Sequence, residues 1–525
     1  MERTAEELAR EQREISISEF FEKNRHLLGY DNKIKALLMI VKEAVDNSLD
    51  ACEEARILPE IYVKLEEVSP DIYRIQIRDN GPGIVKKHIP RIFGTLLYGS
   101  KFHRLRQSRG AQGLGISCAV LYSQLTTGEP VEILSSTGDG TTHRYKLKID
   151  IKRNQPQILE EESLDLGQWH GVQITFLAEG KYKEHKQSVL EYLKETAIAN
   201  PYAHIIFDSP TGRVEFPRGS EELPREPKAI KPHLHGVELG VLERMLMTTK
   251  ARTLLSFFTT EFSRVGATTA KQICEKAGVD PRISPKRVED EQVKKLMAVI
   301  KETKLIAPPT DVLSPLGAHL IEEGLRKELS PEFVVAVTRP PAVYRGFPFQ
   351  VEVGLAYGGE IQETRLYRFA NRVPLLYKQG DCAITKAVET LDWRRYGIQG
   401  DMQLGKPGVP LAIFAHICSV WVPFTSESKE AVASYPVILK ELKLALQEAA
   451  RKLSIWLSGK RRAEYQAQRL KTFEKYAEET AKAIAELVGE PEERVKELLL
   501  NIIRRRGKNG GETEREAEAA GASGA

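Results

Sequence analysis

Three short stretches between Glu43 and Ile116 carry residues whose types and spacing can do chemistry. They are Glu43-Ala-Val-Asp-Asn47, Asp79-Asn-Gly81-Pro-Gly83 and Arg109-Gly110-Ala111-Gln112-Gly113-Leu114-Gly115-Ile116. A carboxylate at Glu43 can orient a water molecule, and the Asn47 amide oxygen, one helical turn on, can hold a hard cation such as Mg²⁺. Asp79 offers acceptor oxygens beside glycines that let backbone approach a ligand closely. A glycine-rich loop that opens a helix presents backbone N–H groups to phosphate. Each stretch also has an ordinary reading. A Glu/Asn pair is commonly a solvated helix face, and Asp-x-Gly-x-Gly is commonly a plain turn.

To position these groups the chain needs a helix, a strand and a loop-to-helix junction. Ile34, Leu37, Leu38, Val41, Val45 and Leu49 form one apolar stripe at helical spacing. Glu43 and Asn47, four apart, then stack on the opposite side of that helix. From Ile72 to Arg78 polar residues alternate with Tyr73, Ile75 and Ile77, which predicts a strand with Asp79 at its end.

In their order and spacing the three stretches resemble the ATP site of the GHKL family (gyrase, Hsp90, MutL and histidine kinases), whose Bergerat fold binds ATP without a P-loop. The resemblance implies that Glu43 is the general base for the hydrolytic water and Asn47 the Mg²⁺ ligand. It further implies that Asp79, with Gly81 and Gly83 beside it, accepts from the adenine amino group, and that Arg109 to Ile116 wraps the phosphates. Phe20-Phe21-Glu-Lys-Asn24, Glu43 to Ala51, Tyr98-Gly-Ser-Lys-Phe102, Asp392-Trp-Arg-Arg-Tyr-Gly397 and Ser426-Glu-Ser-Lys429-Glu-Ala431 narrow it. They are similar to the B-subunit family of DNA topoisomerase VI, from about Ser16 to the helices past Trp456.

That narrower resemblance implies an α+β multidomain chain. It would comprise a Bergerat-type ATP-binding domain with an N-terminal strap (1–229), a small helix-two-turn-helix domain (230–307), and an α/β transducer with long C-terminal helices (308–488). Residues 489–525 would form a short helical segment and a disordered tail. Ser100 and Lys101 would touch the nucleotide from a lid, and Lys429 would be a switch lysine reaching the γ-phosphate. ATP and Mg²⁺ are the implied cofactors. The implied partners are a DNA-cleaving A subunit in an A2B2 heterotetramer, double-stranded DNA, and a second copy of this chain joined through the N-terminal domain when ATP binds.

Composition sets the outer bounds. With 525 residues, 41% hydrophobic and 29% charged, the chain reads as soluble and multidomain. A net charge of +4 leaves any basic surface local. Five scattered cysteines without a CxxC pair speak for a reducing compartment and against zinc. The charged N-terminus and the shortness of the apolar runs lead to the expectation of a cytoplasmic protein with no membrane segment.

Along the chain, Pro130 to Phe216 alternates as strands, with a hairpin turn at Gly138-Asp-Gly140 and a helix from Gln187 to Ala199. His233 to Ala307 reads as helical, between proline-containing linkers at Pro224–Pro232 and Ala307-Pro-Pro. Strands follow at Phe349–Ala356 and Arg365–Phe369; then come Lys386–Leu391, Leu411–Val422 and a long helical tract from Tyr435, a mix that reads as sheet plus helices. Gly400-Asp-Met-Gln-Leu-Gly405-Lys406-Pro407 nearly spells a Walker A loop, but Pro407 stands where a hydroxyl must reach Mg²⁺, so it reads as a plain loop.

Candidate DNA contacts are Trp393, Arg394, Arg395 and Tyr396, where cations and aromatics combine. An aromatic pair packed on arginine stems would have the same sequence. Lys183 and Lys186 lie in a basic loop that Glu184 and His185 interrupt. Lys440 to Lys475 holds ten Lys or Arg against four Glu, a basic face suited to DNA. In this family DNA cleavage uses a nucleophile and a carboxylate cluster with an Asp-x-Asp pair. No two aspartates here are two apart, and none of the 17 tyrosines lies in a stretch that argues for a nucleophile. The expectation is an ATPase that gates DNA for a partner that cuts it.

Overall fold

The computed structural model describes residues 14–502, apart from 100, 102–103, 111–112, 401 and 427. The strap's first residues, Ser100, Ala111, Gln112 and the tail from Gly507 therefore lie outside the described residues. The chain forms two compact units, Met1–Asp392 with Gly400–Ala450, and Trp393–Gln399 with Arg451–Ala525.

The first unit begins with α1 (Ile17–Lys23) and α2 (Lys33–Glu54). Each is started by a side chain that satisfies an otherwise unpaired N–H: Ser16 accepts from Glu19 N, and Asn32 from Lys35 N. The hairpin β1 (Glu60–Ser69) and β2 (Ile72–Asp79) follows, then α3 (Ile89–Gly94) and α4 (Gly115–Thr127). Next come β3 (Val131–Thr137), β4 (Thr142–Asp150), β5 (Gln155–Leu164), β6 (His170–Glu179), α5 (Val189–Ala199), β7 (His204–Ser209) and β8 (Gly212–Phe216).

These eight strands make one sheet in the order β5-β4-β3-β6-β2-β1-β7-β8, antiparallel except for the β1–β7 pair. Along β2 every second side chain is buried, as the alternation predicts, and α2 and α4 pack on that face. On α2 burial exceeds the expected stripe. Ala36 to Val41 are all buried, and so are the polar Asp46, Ser48 and Asp50. The side of α2 opposite the stripe therefore faces protein and a cavity rather than bulk water.

A second apolar cluster is built by α6 (Leu239–Thr248), α7 (Leu254–Glu261), α8 (Ala267–Ala277) and α9 (Asp290–Glu302), around Leu242, Leu254, Phe257 and Phe258. A third lies on the sheet that follows. Its elements are α10 (Ala318–Leu329), β9 (Phe333–Thr338), β10 (Ala342–Tyr344), β11 (Phe347–Tyr357), β12 (Arg365–Ala370), β13 (Val373–Pro374), α11 (Ala383–Glu389) and β14 (Leu411–Ser419). The strand order is β10-β11-β14-β12-β13, with β9 on β11. All nine residues of β14 are buried, as expected of a strand covered on both faces. Ile198, Ala199 and Tyr202, at the end of α5, join this third cluster beside Leu320, Ile321 and Phe414. Their burial, worth about 1.5–3 kcal/mol for a large apolar side chain, ties the two sheets together.

The helical tract is one helix, α12 (Pro436–Val488), of 53 residues. Its residues beyond Ala450 belong to the second unit, where residues 492–502 are also helical and Lys496 pairs with Glu478 at 2.6 Å.

Candidate active site

A cavity of about 610 Å³ opens between α2, β2, β6, the start of α4 and the loop after β14. Of the residues singled out in the sequence, Glu43, Asn47, Asp79, Gly83, Lys101, Gly110, Gly113, Leu114, Gly115, Ile116 and Lys429 line it. Met39, Ile84, Phe93 and Ile174 supply apolar walls. Such a mixture of apolar lining and a few convergent polar groups is typical of small-molecule sites.

Glu43 and Asn47 reach the cavity from successive turns of α2. Lys42 lies 3.6 Å from the Glu43 carboxylate and 3.0 Å from Asp46. Burial pushes the Asp46 carboxyl up despite that lysine, and Tyr192 donates to it at 2.9 Å. The Asn47 amide oxygen lies under Gly110. Among the described residues no group of three or more His, Cys, Asp or Glu could hold a metal. An oxygen donor of the Asn47 kind, opening into a cavity beside a carboxylate, still fits Mg²⁺, which keeps waters and substrate phosphates as its other ligands.

Asp79 closes one end. Its Oδ2 accepts from the Ser48 hydroxyl at 2.7 Å, and its Oδ1 from Gly81 N at 2.9 Å and Val172 N at 3.0 Å. Burial pushes this carboxyl up, and the three donors work against that. An acceptor held so rigidly suits an exocyclic amino group. Gly83, at φ 71°, has no room for a side chain, because a Cβ would sit 2.0 Å from Ser136 O.

The glycine-rich loop does open a helix, α4, whose first-turn N–H groups have no partner within the helix and face the cavity at Gly115 and Ile116. Gly115 lies in close approach to Glu43. A Cβ there would lie 1.8 Å from Glu43 Oε2. The clash is with the tip of a flexible side chain, so Gly115→Ala should fold with a melting temperature near native while displacing the Glu43 carboxylate. With Glu43 in the general-base role that the resemblance implies, worth about 10²–10⁴-fold, the expected result is at least about a tenfold loss of ATP turnover. Steady-state hydrolysis alongside thermal unfolding checks this.

Lys429 comes from the loop after β14, with φ 53°, and its ammonium reaches the Arg109 carbonyl at 3.3 Å. Burial lowers its pKa, and Glu43 pulls the other way. Lys101 Nζ rests on Asp50 Oδ2 at 2.6 Å. Burial alone would raise the Asp50 carboxyl, but Lys101 and Arg109 hold it well below the usual carboxylate range.

Two of the residues singled out in the sequence, Gly81 and Arg109, do not line the cavity. Gly81 instead braces Asp79 with its N–H. The Arg109 guanidinium points away from the cavity into a buried set of Asp50, Glu53 and Asn200, because the two carboxylates neutralise it there and the amide oxygen accepts from it. Sequence reasoning missed Ser48 and Val172. Ser48 follows Asn47 directly, which was a usable signal. Val172 depends on the β2–β6 register, which no local pattern reveals.

The DNA candidates divide. Trp393 is only 5% exposed. Arg394 and Arg395 are exposed and Tyr396 is half-buried. Lys183 and Lys186 are both exposed, and Lys186 also donates to Glu363 and the Gly405 carbonyl, each at 3.1 Å. Gly400–Pro407 is a loop without regular structure at its described residues.

A carboxylate beside a helix N-terminus, an acceptor at the far end and a lysine from the loop that follows a second sheet's strand define an ATPase of the GHKL class. The profile described as "Histidine kinase-, DNA gyrase B-, and HSP90-like ATPase" matches residues 32–151, and that of "Topoisomerase VI B subunit, transducer" matches 308–469. Proteins named as the B subunit of type 2 DNA topoisomerase 6 are similar to most of the chain. That of Archaeoglobus fulgidus is 50% identical, covering 86% of this chain and 75% of its own length. That of Methanococcoides burtonii is 48% identical over 86% and 74%. That of Pyrococcus furiosus is 41% identical over 95% and 96%. The chain belongs to the family of type 2 DNA topoisomerase 6 B subunits, the ATPase components of type IIB DNA topoisomerases.

Proposed function

We propose that this chain hydrolyses ATP to close a clamp around DNA while a partner A subunit holds a double-strand break, so that one duplex passes through another. The observation that carries the proposal is Lys429, which lies in another sheet's loop yet shares a cavity with Glu43. Asp79 would hold the adenine amino group, the Gly110–Ile116 backbone and Lys101 the phosphates, and Asn47 the Mg²⁺. Mg²⁺ would supply charge neutralisation at the phosphate oxygens. Glu43 takes the proton from the attacking water, and the α4 N–H groups receive the negative charge that develops on the phosphoryl oxygens.

Lys429 makes ATP differ from ADP by one contact that spans two parts of the fold, and only such a difference shifts a domain equilibrium. We divide the chain accordingly into a nucleotide domain to 229, a helix-two-turn-helix domain from 230 to 307 and a transducer from 308 to 488. Residues 489–525 follow as a helical segment and tail. The apolar cluster of α6 to α9, which draws on residues 234–300 alone, supports the middle of that division, while Ile198, Ala199 and Tyr202 pack the first part against the third. The working assembly would be an A2B2 heterotetramer in the cytoplasm, with two copies of this chain joining on ATP. No helix among the described residues is long and apolar enough to cross a membrane. The exposed Arg394 and Arg395 and the basic Lys440–Lys475 tract supply cations for duplex DNA.

Plasmid relaxation tests the proposal. With a DNA-cleaving A subunit, supercoiled plasmid should relax only when ATP is present, and the chain alone should relax none. Lys429→Ala should retain adenine-directed affinity and lose most strand passage. Relaxation by the chain alone would refute the division of labour. A wild type that stays monomeric in sedimentation with a non-hydrolysable ATP analogue would refute the clamp.

A further inference from the structure

We infer that Asn371 and Arg372, the two residues of the turn between β12 and β13, are positioning residues of the nucleotide site: they hold the start of the glycine-rich loop, and with it the carbonyl that Lys429 contacts. The inference rests on the ATPase reading above and adds to it the route by which the second sheet grips the site.

The turn itself is unusual. Ala370 pairs with Val373, so only Asn371 and Arg372 connect the strands, and both have left-handed φ, 47° and 67°. Two-residue turns with that pattern favour Asn-Gly, because the second position strains any side chain. An arginine there is strained backbone, and strain persists where surrounding contacts over-determine it.

Those contacts point in two directions. Towards its own sheet, Asn371 Oδ1 accepts from Ser419 N at 2.9 Å, and Arg372 N donates to His416 Nε2 at 3.0 Å. His416 must then carry its proton on Nδ1, which donates to Glu352 at 2.8 Å, both side chains being fully buried. Glu352 also accepts from Leu316 N at 2.9 Å, Gly317 N at 2.7 Å and the Thr338 hydroxyl at 2.9 Å. The turn is thus locked to the sheet behind it.

Towards the nucleotide site, Asn371 Nδ2 donates to the Ser108 carbonyl at 3.0 Å, one residue before Arg109. Arg372 donates to Glu53 Oε2 at 2.8 Å and to the Ser314 hydroxyl at 3.1 Å. The other Glu53 oxygen accepts from Arg109, and Arg109 reaches on to Asp50 at 2.9 Å and so to Lys101. Charges alternate along Arg372, Glu53, Arg109, Asp50 and Lys101, ending at the cavity. The Arg109 and Arg372 side chains are 1% and 5% exposed. Burial would raise the Glu53 carboxyl, but the two arginines hold it below its ordinary value. Buried ion pairs are a poor source of stability relative to apolar packing. A chain of them between a strained turn and the residue whose carbonyl meets Lys429 is a device for placing that carbonyl.

Three variants test this by separating kcat for ATP from affinity for ADP. Asn371→Gly keeps a residue suited to the turn and removes the grip on Ser108. Arg372→Met with Glu53→Gln removes both charges together, so neither is left buried and unpaired. Each should lower kcat roughly 2- to 30-fold, the span of coupling seen along such networks, and leave the Kd for ADP within about twofold. Arg372→Lys, which keeps the charge, should recover part of the loss. If the double variant fails to fold, Asn371→Gly decides alone. A folded Asn371→Gly with native kcat, or one that loses ADP affinity while kcat stays native, overturns the inference. A native chain that turns over no ATP would instead indict the ATPase reading.

Discussion

Glu43→Ala should bind ATP and hydrolyse it about 10²–10⁴-fold more slowly, the usual worth of a positioned general base. Glu43 lines the cavity at the N-terminus of α4, so closely that a Cβ on Gly115 would displace its carboxylate. The attacking water would stand between that carboxylate and a phosphate held on the first turn of α4. Removing the carboxylate leaves the Asp79 end of the cavity intact, so affinity is expected to survive. Single-turnover hydrolysis and equilibrium binding of a non-hydrolysable analogue check the two halves separately. A rate within a few fold of native would remove Glu43 from the reaction.

Asp79→Asn should weaken ATP binding by roughly 10- to 150-fold, the equivalent of losing a charge-assisted hydrogen bond worth about 1.5–3 kcal/mol. The carboxylate already accepts from Ser48, Gly81 and Val172, so its remaining lone pairs have a set direction. An amide there turns one acceptor into a donor. The Ser48 hydroxyl can rotate to accept from it, so the fold should tolerate the change. The adenine amino group cannot reverse its role and loses its partner. Guanine carries a carbonyl at that position, so the variant should also narrow the preference for ATP over GTP. Calorimetric titration of both nucleotides into both proteins measures this, and equal ATP and GTP affinities for the native chain would contradict the adenine assignment.

The sequence by itself determined the local parts of this site. Spacing of four put Glu43 and Asn47 on adjoining turns of one helix, alternation ended a strand at Asp79, and the glycines marked the loop that opens α4. Helix and strand periods are properties of a few consecutive residues, so they can be read without the fold. Tertiary structure decided what those parts meet. It turned the Arg109 guanidinium away from the cavity, buried Trp393, set Val172 N on Asp79 and brought the Asn371–Arg372 turn against Ser108 and Glu53. Each of these depends on strand register or on packing between residues far apart in the chain, where the partners that satisfy a buried charge or N–H come from other elements. No pattern within one element can show which partner that will be.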